Sequence, residues 1–186
     1  MPLLKAEIRA LLHDPKTGRL IKALPWTPAN SLLRQFIQLL AVQMSEQNVS
    51  IIDILDTARS IQNHEFSLSV NAILAATGSG IVIGTGTNAV TMTDTHLQTQ
   101  VTADITHSAT TFAVENPDAN TWRLAISRIF QNNTGAAVGV KEVALYAFGQ
   151  DTPPVTRFIC IDRTLYNVSV PNGIGLTLTY RISVEL

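Results

Sequence analysis

Residues 175–185 read GLTLTYRISVE, and their pattern gives the strongest indication of the fold. Apolar residues take every second position of this stretch, and threonine, arginine and serine take the positions between them. Successive side chains of a β-strand point to opposite faces of its sheet, so this alternation predicts a strand with one buried face. The residues expected to face the core are Leu176, Leu178, Tyr180, Ile182 and Val184, and those expected on the other side are Thr177, Thr179, Arg181 and Ser183.

The same alternation occurs upstream, where Trp122, Leu124, Ile126 and Phe130 alternate with mostly polar or small residues. Two short apolar runs, 143–146 and 158–161, predict two further strands. Segments rich in Asn, Gly and Pro at 132–135, 149–154 and 171–173 supply the turns between them. Short strands at regular spacing are typical of antiparallel sheets. The sequence therefore predicts a mainly β protein, an antiparallel β-sandwich that is Ig-like or jelly-roll-like.

One α-helix is predicted to flank this sandwich at about residues 30–46. Asn30 or Ser31 can cap its first backbone amides. Apolar residues then recur at helical spacing, at Leu32, Leu33, Phe36, Ile37, Leu40 and Met44. This face fits packing against the chain's own sheet, and it also fits packing against a neighbouring subunit. The residues predicted to serve assembly are Trp26, Leu32, Leu33, Phe36 and Leu40.

The N-terminal segment predicts a β-hairpin, because apolar runs at 4–12 and 19–24 flank a turn that begins at Asp14 and ends at Gly18. We therefore divide the chain into an N-terminal hairpin arm, residues 1–29, and a sandwich domain with its flanking helix, residues 30–186. Residues 49–55 and 66–75 are weaker strand candidates. A short buried strand at 81–83 is expected to end in a structural turn at Gly84 and Gly86, followed by a loop in which Asp94 hydrogen-bonds locally.

Composition excludes several classes of protein. The 186 residues suffice for one domain. Thirteen basic and fourteen acidic residues leave a net charge of −1, which argues against nucleic-acid binding, since neutralising phosphates requires a surplus of Lys and Arg. No apolar run approaches the roughly 20 residues of a membrane span. The first residues lack the pattern of a signal peptide, so we expect synthesis in the cytosol.

Residues able to carry chemistry are few and scattered, so we expect no enzyme activity, no cofactor and no metal site. Cys160 is the only cysteine and lies in an apolar run without a nearby histidine. The glycines at 78–86 are not followed by a lysine or a helix, as a phosphate-binding loop requires. The four histidines show no metal-ligand spacing. They are His13, His64, His96 and His107.

Two other functions stay open at this point. A small hydrolase would need paired carboxylates in a pocket, and Asp53, Asp56 and Asp94 are the candidates. A receptor- or carbohydrate-binding module would need an exposed aromatic platform. The candidates for that platform are Trp26, Trp122 and Tyr166.

Three segments resemble the small structural proteins of tailed bacteriophages. Residues 80–97, GIVIGTGTNAVTMTDTHL, are similar to the family's GIVVGTGTTAVTxxDxxL segment. Residues 128–146 carry RIFQNNTG and VKEVALY, similar to RxFxNxSG and VxEVGLY, with Ala144 in place of the usual glycine. The segment 162–180 is similar to the family's RD…VxVxxGxxLxVTY ending. The resemblance spans most of residues 30–184 and leaves the N-terminal hairpin uncovered.

The resemblance implies a non-enzymatic virion protein that is synthesised in the host cytoplasm. Such a protein is expected to bind copies of itself as a homo-oligomer and to dock to other virion proteins of the tail, neck, baseplate or capsid. The low charge suits this role, because like-charge repulsion does not oppose the packing of many identical subunits. The alternative is a receptor- or carbohydrate-binding module of a tail fibre, and a small hydrolase is less favoured.

Overall fold

The computed structural model of the chain describes residues 3–29 and 32–185. Within these ranges the chain is mainly β, as predicted, with twelve strands and one helix. The elements are β1 (Leu3–His13), β2 (Leu20–Ala23), β3 (Thr27–Pro28), α1 (Arg34–Ser45), β4 (Val49–Ile52), β5 (Ala58–Gln62), β6 (Gly80–Gly84), β7 (Ile105–His107), β8 (Thr111–Asp118), β9 (Thr121–Asn132), β10 (Val138–Asp151), β11 (Thr156–Val170) and β12 (Gly175–Glu185).

Two antiparallel sheets form the predicted sandwich. Sheet A has the strand order β2-β1-β12-β9-β7, with β3 paired to β1 and β8 paired to β9. Sheet B has the order β11-β10-β5-β4, with β6 paired to β10. The main core lies between them and joins Ile8 and Leu178 of sheet A to Val143 and Ile159 of sheet B. Helix α1 covers part of sheet B, where it contacts β4, β5 and β11.

The N-terminal hairpin is present, and it is part of sheet A. The carboxylate of Asp14 accepts the backbone N–H of Lys16 at 2.8 Å, and Gly18 adopts a φ of +69°, which closes the turn. Strand β1 then pairs with β12 over its whole length, from Leu3 opposite Glu185 to His13 opposite Gly175. The side chains of Ile8, Ala10 and Leu12 are buried in the core. Residues 3–29 therefore contribute to the sandwich itself.

The alternation in β12 is confirmed over its first half only. Leu176, Leu178 and Tyr180 are buried, as predicted. The prediction is wrong at the far end, where Val184 is 47% exposed and Ser183 is buried. The register of β12 with both β1 and β9 has no shift, so Val184 still points to the same side as Leu178. The rest of the chain covers only part of the inner face of sheet A, and Val184 lies on the uncovered part.

The flanking helix is confirmed, but its bounds and its buried face differ from the prediction. It begins at Arg34, after Leu33, whose side chain makes no cap hydrogen bond, and the predicted caps Asn30 and Ser31 lie outside the described residues. Its buried residues are Gln35, Leu39 and Val42. Ile37 and Met44, which the helical spacing placed on the apolar face, are exposed. Apolar residues surround most of this helix, so periodicity alone did not identify the buried side.

Residues 49–76 contain two short strands, β4 and β5, instead of the two longer ones predicted. The segment 66–75 is not a strand, because its backbone forms turns such as the one closed by Ser67 N–H and the carbonyl of His64 at 2.9 Å. Leu68 and Ala75 have positive φ values, which interrupt an extended chain. Strand β4 lies within the predicted segment 49–55, whereas strands β3, β5, β7 and β8 were not predicted.

Candidate functional site

Three charged side chains from the motif segments meet in the interior. Glu142 on β10 is fully buried, and it accepts a hydrogen bond from Nε of Arg163 on β11 at 2.8 Å. Arg163 Nη1 donates to the carboxylate of Asp94 at 2.7 Å, and its Nη2 donates to the carbonyl of Asn88 at 3.1 Å. We call Asp94, Glu142 and Arg163 the motif cluster. It joins two neighbouring strands of sheet B to the loop that follows β6.

Glu142 holds this loop through its backbone. One carboxylate oxygen accepts the N–H groups of Gly86 at 3.0 Å and Thr99 at 2.8 Å, and the other accepts the N–H of Gln98 at 3.1 Å. A buried carboxylate is costly unless its lone pairs are used, and the bonds from the loop and from Arg163 use them. The loop at 85–99 is therefore fixed at both ends by one side chain.

Gly84 and Gly86, predicted as structural turn residues, lie where the backbone passes closest to Glu142. A Cβ at Gly84 would lie 2.6 Å from a Glu142 carboxylate oxygen and from the carbonyl of Thr99. A Cβ at Gly86 would lie 2.5 Å from the same carboxylate oxygen. Real Cβ atoms do not approach other atoms so closely, so both positions require glycine for space.

Asp94 makes the expected local bonds and one long-range ion pair. Its carboxylate accepts the backbone N–H of Thr91 at 3.0 Å and the Thr91 hydroxyl at 2.7 Å, besides the guanidinium of Arg163. Burial alone would raise the pKa of Asp94, but the hydrogen bonds from Thr91 and Arg163 outweigh it and lower that pKa. Burial alone would lower the pKa of Arg163, but Asp94 and Glu142 outweigh it and raise that pKa. Asp94 and Arg163 therefore stay ionised at neutral pH.

Tyr146 and Gln35 extend the cluster to the helix. The Tyr146 hydroxyl accepts the backbone N–H of Leu97 at 2.7 Å, and burial raises the pKa of this phenol. The side-chain amide of Gln35, on the buried side of α1, donates to the carbonyl of Asp94 at 3.0 Å. Helix, loop and sheet B are thus tied together by polar groups inside the fold. This arrangement holds the loop in place, because its charged groups form ion pairs and hydrogen bonds within the fold.

Asp53, a candidate for hydrolysis, binds its own loop and an arginine. It accepts the N–H groups of Leu55 and Thr57, and Nε of Arg59 donates to it at 2.7 Å. Burial would raise the pKa of Asp53, but the bonds from Arg59, Thr57 and Leu55 lower it overall. A general acid at neutral pH requires a raised carboxyl pKa, so Asp53 does not suit that role.

Asp56 lies beside Thr95 and His96 on the surface. Asp56 accepts the Thr95 hydroxyl, and its carboxylate lies 3.5 Å from Nδ1 of His96. The Thr95 hydroxyl also lies 3.0 Å from that same Nδ1. In a nucleophile–base–acid triad the nucleophile and the acid contact different ring nitrogens. This group therefore lacks the geometry of a triad, and the carboxylates of Asp53, Asp56 and Asp94 each bind different partners.

Cys160 and His107 are both buried, and neither side chain is poised to react. Cys160 is fully buried, and burial raises the pKa of its thiol, which keeps it protonated. Neither ring nitrogen of the buried His107 has a hydrogen-bond partner among the described residues. Burial, followed by the nearby charge of Arg128, lowers the pKa of His107 to about 4. Residues 3–29 and 32–185 contain no group of three or more His, Cys, Asp or Glu side chains that could hold a metal ion.

The residues predicted to serve assembly are mostly part of the chain's own packing. Leu33 is fully buried in a second core cluster with Val82, Tyr146 and Cys160. Leu32, Phe36 and Leu40 are half-buried. The large exposed apolar side chains of the helix are Ile37 and Met44, which were not among the residues predicted to serve assembly.

Trp26, Trp122 and Tyr166, the candidates for an aromatic platform, differ in their exposure. Trp26 is half-buried, and the guanidinium of Arg181 lies over its ring at 4.0 Å from the centroid. Arg9 also lies over this ring, at 5.7 Å. Tyr166 is buried, whereas Trp122 is 58% exposed. Of these three aromatic rings, only Trp122 is largely open to a partner.

Sequence reasoning missed an apolar cleft beside the 66–75 segment. Its volume is about 400 Å³, and its walls include the aromatic rings of Phe66, Phe148 and Phe158. Polar groups at its margin come from Ser69, Asn71, Gln150 and Thr156. The three phenylalanines are far apart in sequence and in different elements, so no local pattern could reveal them.

Sequence reasoning also missed an exposed apolar surface on sheet A. We call this surface the apron, and we define it by the residues Leu4, Ala6, Phe112, Val114, Trp122, Leu124, Ile182 and Val184. They come from β1, β8, β9 and β12 and follow the inner face of the sheet beyond its covered part. Trp122 lies opposite Val184, which lies opposite Leu4, so the surface is continuous across strands.

No family model, curated protein or solved structure matches the chain. No helix in the described part of the chain is long and apolar enough to cross a membrane.

Proposed function

We propose that this chain is a non-enzymatic structural protein of a tailed-bacteriophage particle. It is synthesised in the host cytoplasm, associates with copies of itself and docks to other proteins of the virion. The resemblance of residues 80–97, 128–146 and 162–180 to such proteins supports this proposal. The function is assembly, so the functional groups are surfaces and the residues that hold them in place.

The observation that carries the proposal is the convergence of the resembling segments on one cluster. Asp94 belongs to the first segment, Glu142 to the second and Arg163 to the third, and these residues are joined by bonds of 2.7 and 2.8 Å. Segments that resemble one family at three places therefore act as one structural unit in this fold. Their polar groups hold a loop against a sheet, which favours a scaffold over a catalyst.

The surface supports the same proposal. Charged residues make up only 15% of the chain, and large apolar side chains are exposed on both the helix and sheet A. Large exposed apolar surfaces are rare on monomeric proteins, and they often mark contacts with other macromolecules. A protein that repeats in a particle requires such surfaces at each subunit contact.

The test is to locate the protein in purified particles of the phage that encodes it. An antibody against the recombinant chain is applied to gradient-purified particles and to the soluble fraction of the lysate. We expect a fixed copy number in the particles that survives high-salt washing, since apolar contacts do not weaken with salt as ion pairs do. Fully infectious particles that lack the protein would contradict the proposal.

The cleft lined by Phe66, Phe148 and Phe158 favours a second function, the binding of a small ligand by a tail module. Its volume of about 400 Å³ lies in the range of small-molecule sites. The test is a titration of the chain with mono- and oligosaccharides. Binding is measured by NMR, as chemical-shift changes of the residues that line the cleft. Binding that Phe66→Ala abolishes and Phe112→Ala preserves would support this second function. An absence of shifts at millimolar sugar would contradict it.

A further inference from the structure

The apron has the sequence pattern of a buried surface, although the described chain leaves it open. The residues of β1, β9 and β12 that face inward keep their apolar character to the strand ends, as far as Leu4, Trp122 and Val184. Phe112 and Val114 of β8 lie opposite Ile126 and Leu124, so they continue the same face onto a fourth strand. A solvated sheet face normally carries polar side chains at these positions.

On these strands the charges next to apron residues lie on the opposite face, and the inward-facing Arg128 is buried outside the apron. Lys5, Arg123 and Arg181 occupy the positions between apron residues, and so do Glu7, Glu115 and Glu185. There Lys5 pairs with Glu7 at 3.0 Å, and Arg181 pairs with Glu115 at 3.3 Å. The apron therefore carries no charge. Such a face meets an identical face without repulsion and without leaving a charge unpaired.

The apron has the area that a stable dimer needs. Six of its side chains are between 37% and 72% exposed, and one of them is a tryptophan and one a phenylalanine. Two aromatic side chains that expose about half of their 150–250 Å², together with four partly open aliphatic side chains, give an apolar area on the order of 500 Å². A standard dimer buries about 800 Å² per partner, of which about two thirds is apolar. The apron can supply the apolar centre of such an interface, and its edges can supply the rim.

We propose that the apron of a second copy of this chain covers the apron, with a two-fold axis between the two copies. This inference rests on the proposed function and names the surface through which the chain associates with itself. Each sheet A is then covered on its inner face by its own sheet B over one half and by its partner's sheet A over the other. Two sheets stacked face to face, about 10 Å apart, are a common packing arrangement. Two-fold contacts between identical patches are also the commonest mode of self-association.

The test compares four arginine variants by sedimentation equilibrium of the whole chain. Val114→Arg and Trp122→Arg place a charge in the apron, and a charge on an edge strand such as β8 is well tolerated by the fold. Ile129→Arg places the same charge on the opposite face of β9, and Met44→Arg places it on the exposed side of α1. These two are the controls, because both residues are also exposed.

We expect the unmodified chain to be dimeric, and we expect both apron variants to raise the dimer dissociation constant at least about 100-fold. The two control variants should keep the affinity of the unmodified chain. An unmodified chain that is monomeric up to about 100 µM would overturn the proposal. A monomeric Met44→Arg variant with dimeric apron variants would overturn it too, in favour of the helix.

A cysteine placed in the apron keeps the proposal testable if the arginine variants do not fold. Residues near a two-fold axis meet their own counterparts, so Leu124→Cys should form a disulfide between two copies under mild oxidation. Cys160 does not interfere, since it is fully buried. Ile129→Cys is the matched control and should stay reduced. An unlinked Leu124→Cys chain together with a cross-linked Ile129→Cys chain would place the interface on the other face of sheet A.

Failure of this inference is distinguishable from failure of the proposed function. If the protein is found in purified particles and the apron variants leave its association unchanged, the interface is wrong and the function stands. If the apron variants abolish the dimer and purified particles lack the protein, the interface stands and the function is wrong.

Discussion

The motif cluster and the apron both reverse the usual placement of side chains, and they do so in opposite ways. The cluster places Glu142 and Arg163 in the interior, whereas the apron leaves Trp122 and Val184 open to solvent. The charges of the cluster are tolerated because bonds from the loop and between partners replace water. The apolar side chains of the apron have no such replacement within the described chain. Polarity alone therefore does not determine where a side chain lies, because the partners available to it also matter.

The largest effect is expected from Arg163→Met, which breaks the cluster from the inside. The substitution keeps a long apolar stem but leaves Glu142 buried without its cation. Removing one partner of a buried ion pair costs about 3–5 kcal/mol of stability. We expect a loss of this size in the free energy of unfolding, measured by urea denaturation. A loss under about 1 kcal/mol would mean that the cluster is hydrated and that the contrast with the apron is false.

A double variant isolates the pair from the rest of the fold. The double variant Glu142→Gln/Arg163→Met has no buried, unpaired charge at either of these two positions. The double variant should therefore lose less stability than the sum of the two single variants, with a coupling energy of about 1–3 kcal/mol. Additive losses would indicate that the two side chains stabilise the loop independently.

The second effect compares two positions of one face of β12. Leu178 is fully buried under sheet B, and Val184 belongs to the apron. Leu178→Ala should lose about 2–5 kcal/mol of stability, because a core leucine leaves a cavity. Val184→Ala should lose under about 1 kcal/mol in an isolated monomer, since its side chain is already half exposed. Equal losses in dilute solution, where no dimer forms, would show that the apron is covered by the chain itself.

A smaller effect is expected from Gly86→Ala, which tests the space around Glu142. The added methyl group would lie 2.5 Å from a carboxylate oxygen, so loop and cluster must separate. Overpacking of this kind costs about 1–3 kcal/mol. Gly139→Ala is the matched control, because its nearest atom lies 3.6 Å away, at the end of the Lys141 side chain. Thermal unfolding should show a lower Tm for Gly86→Ala alone.

The smallest effect concerns His107, a buried titratable group without the partners that the cluster has. Its pKa is lowered to about 4 in the folded chain, against about 6.5 when unfolded. Its contribution to stability is complete above about pH 6.5 and is lost as the pH falls toward about 4, because the unfolded state binds the proton first. His107→Phe should remove about 2 kcal/mol of the stability loss between pH 7 and pH 5. Parallel pH profiles of variant and unmodified chain would contradict a neutral buried ring.

Strand alternation predicted the sandwich but could not predict its extent. The strand at 175–185 and its partner near 122–130 were identified from sequence because side chains alternate regularly there. Alternation reports which side of a sheet a residue faces, and it carries no information on what covers that side. The exposure of Val184 depends on where sheet B ends, which is a property of distant residues.

The helix and the missed strands show the limits of local patterns. Apolar residues occur on most sides of α1, so spacing did not show that Gln35 and Leu39 face inward. Gln35 is buried because the carbonyl of Asp94, 59 residues away, accepts its amide. Strand β8 has a mostly exposed sequence that ends with Asn116, Pro117 and Asp118, and it is a strand because β9 pairs with it.

Part of the motif cluster could be predicted from sequence. Gly84, Gly86 and Asp94 were identified as turn residues, and the geometry at these positions explains each of them. Glu142 and Arg163 were noted only as matching positions in the resembling segments, without a predicted role. The available signal was their place within apolar strands, where an isolated charge requires a buried partner. Which partner each one finds is decided by the register of β10 with β11.

The pairing of β1 with β12 has a consequence for the order of events during synthesis. Leu3 lies opposite Glu185 and His13 opposite Gly175, so at least 162 residues separate each strand position from its partner. A ribosome adds about 5–20 residues per second, so β1 leaves it roughly ten seconds or more before β12. During that interval β2 and β3 can pair with one edge of β1, but the edge that pairs with β12 has no partner strand. Sheet A therefore closes only after β12 has left the ribosome, and chaperones that protect unpaired strands have their longest opportunity at the N-terminal hairpin.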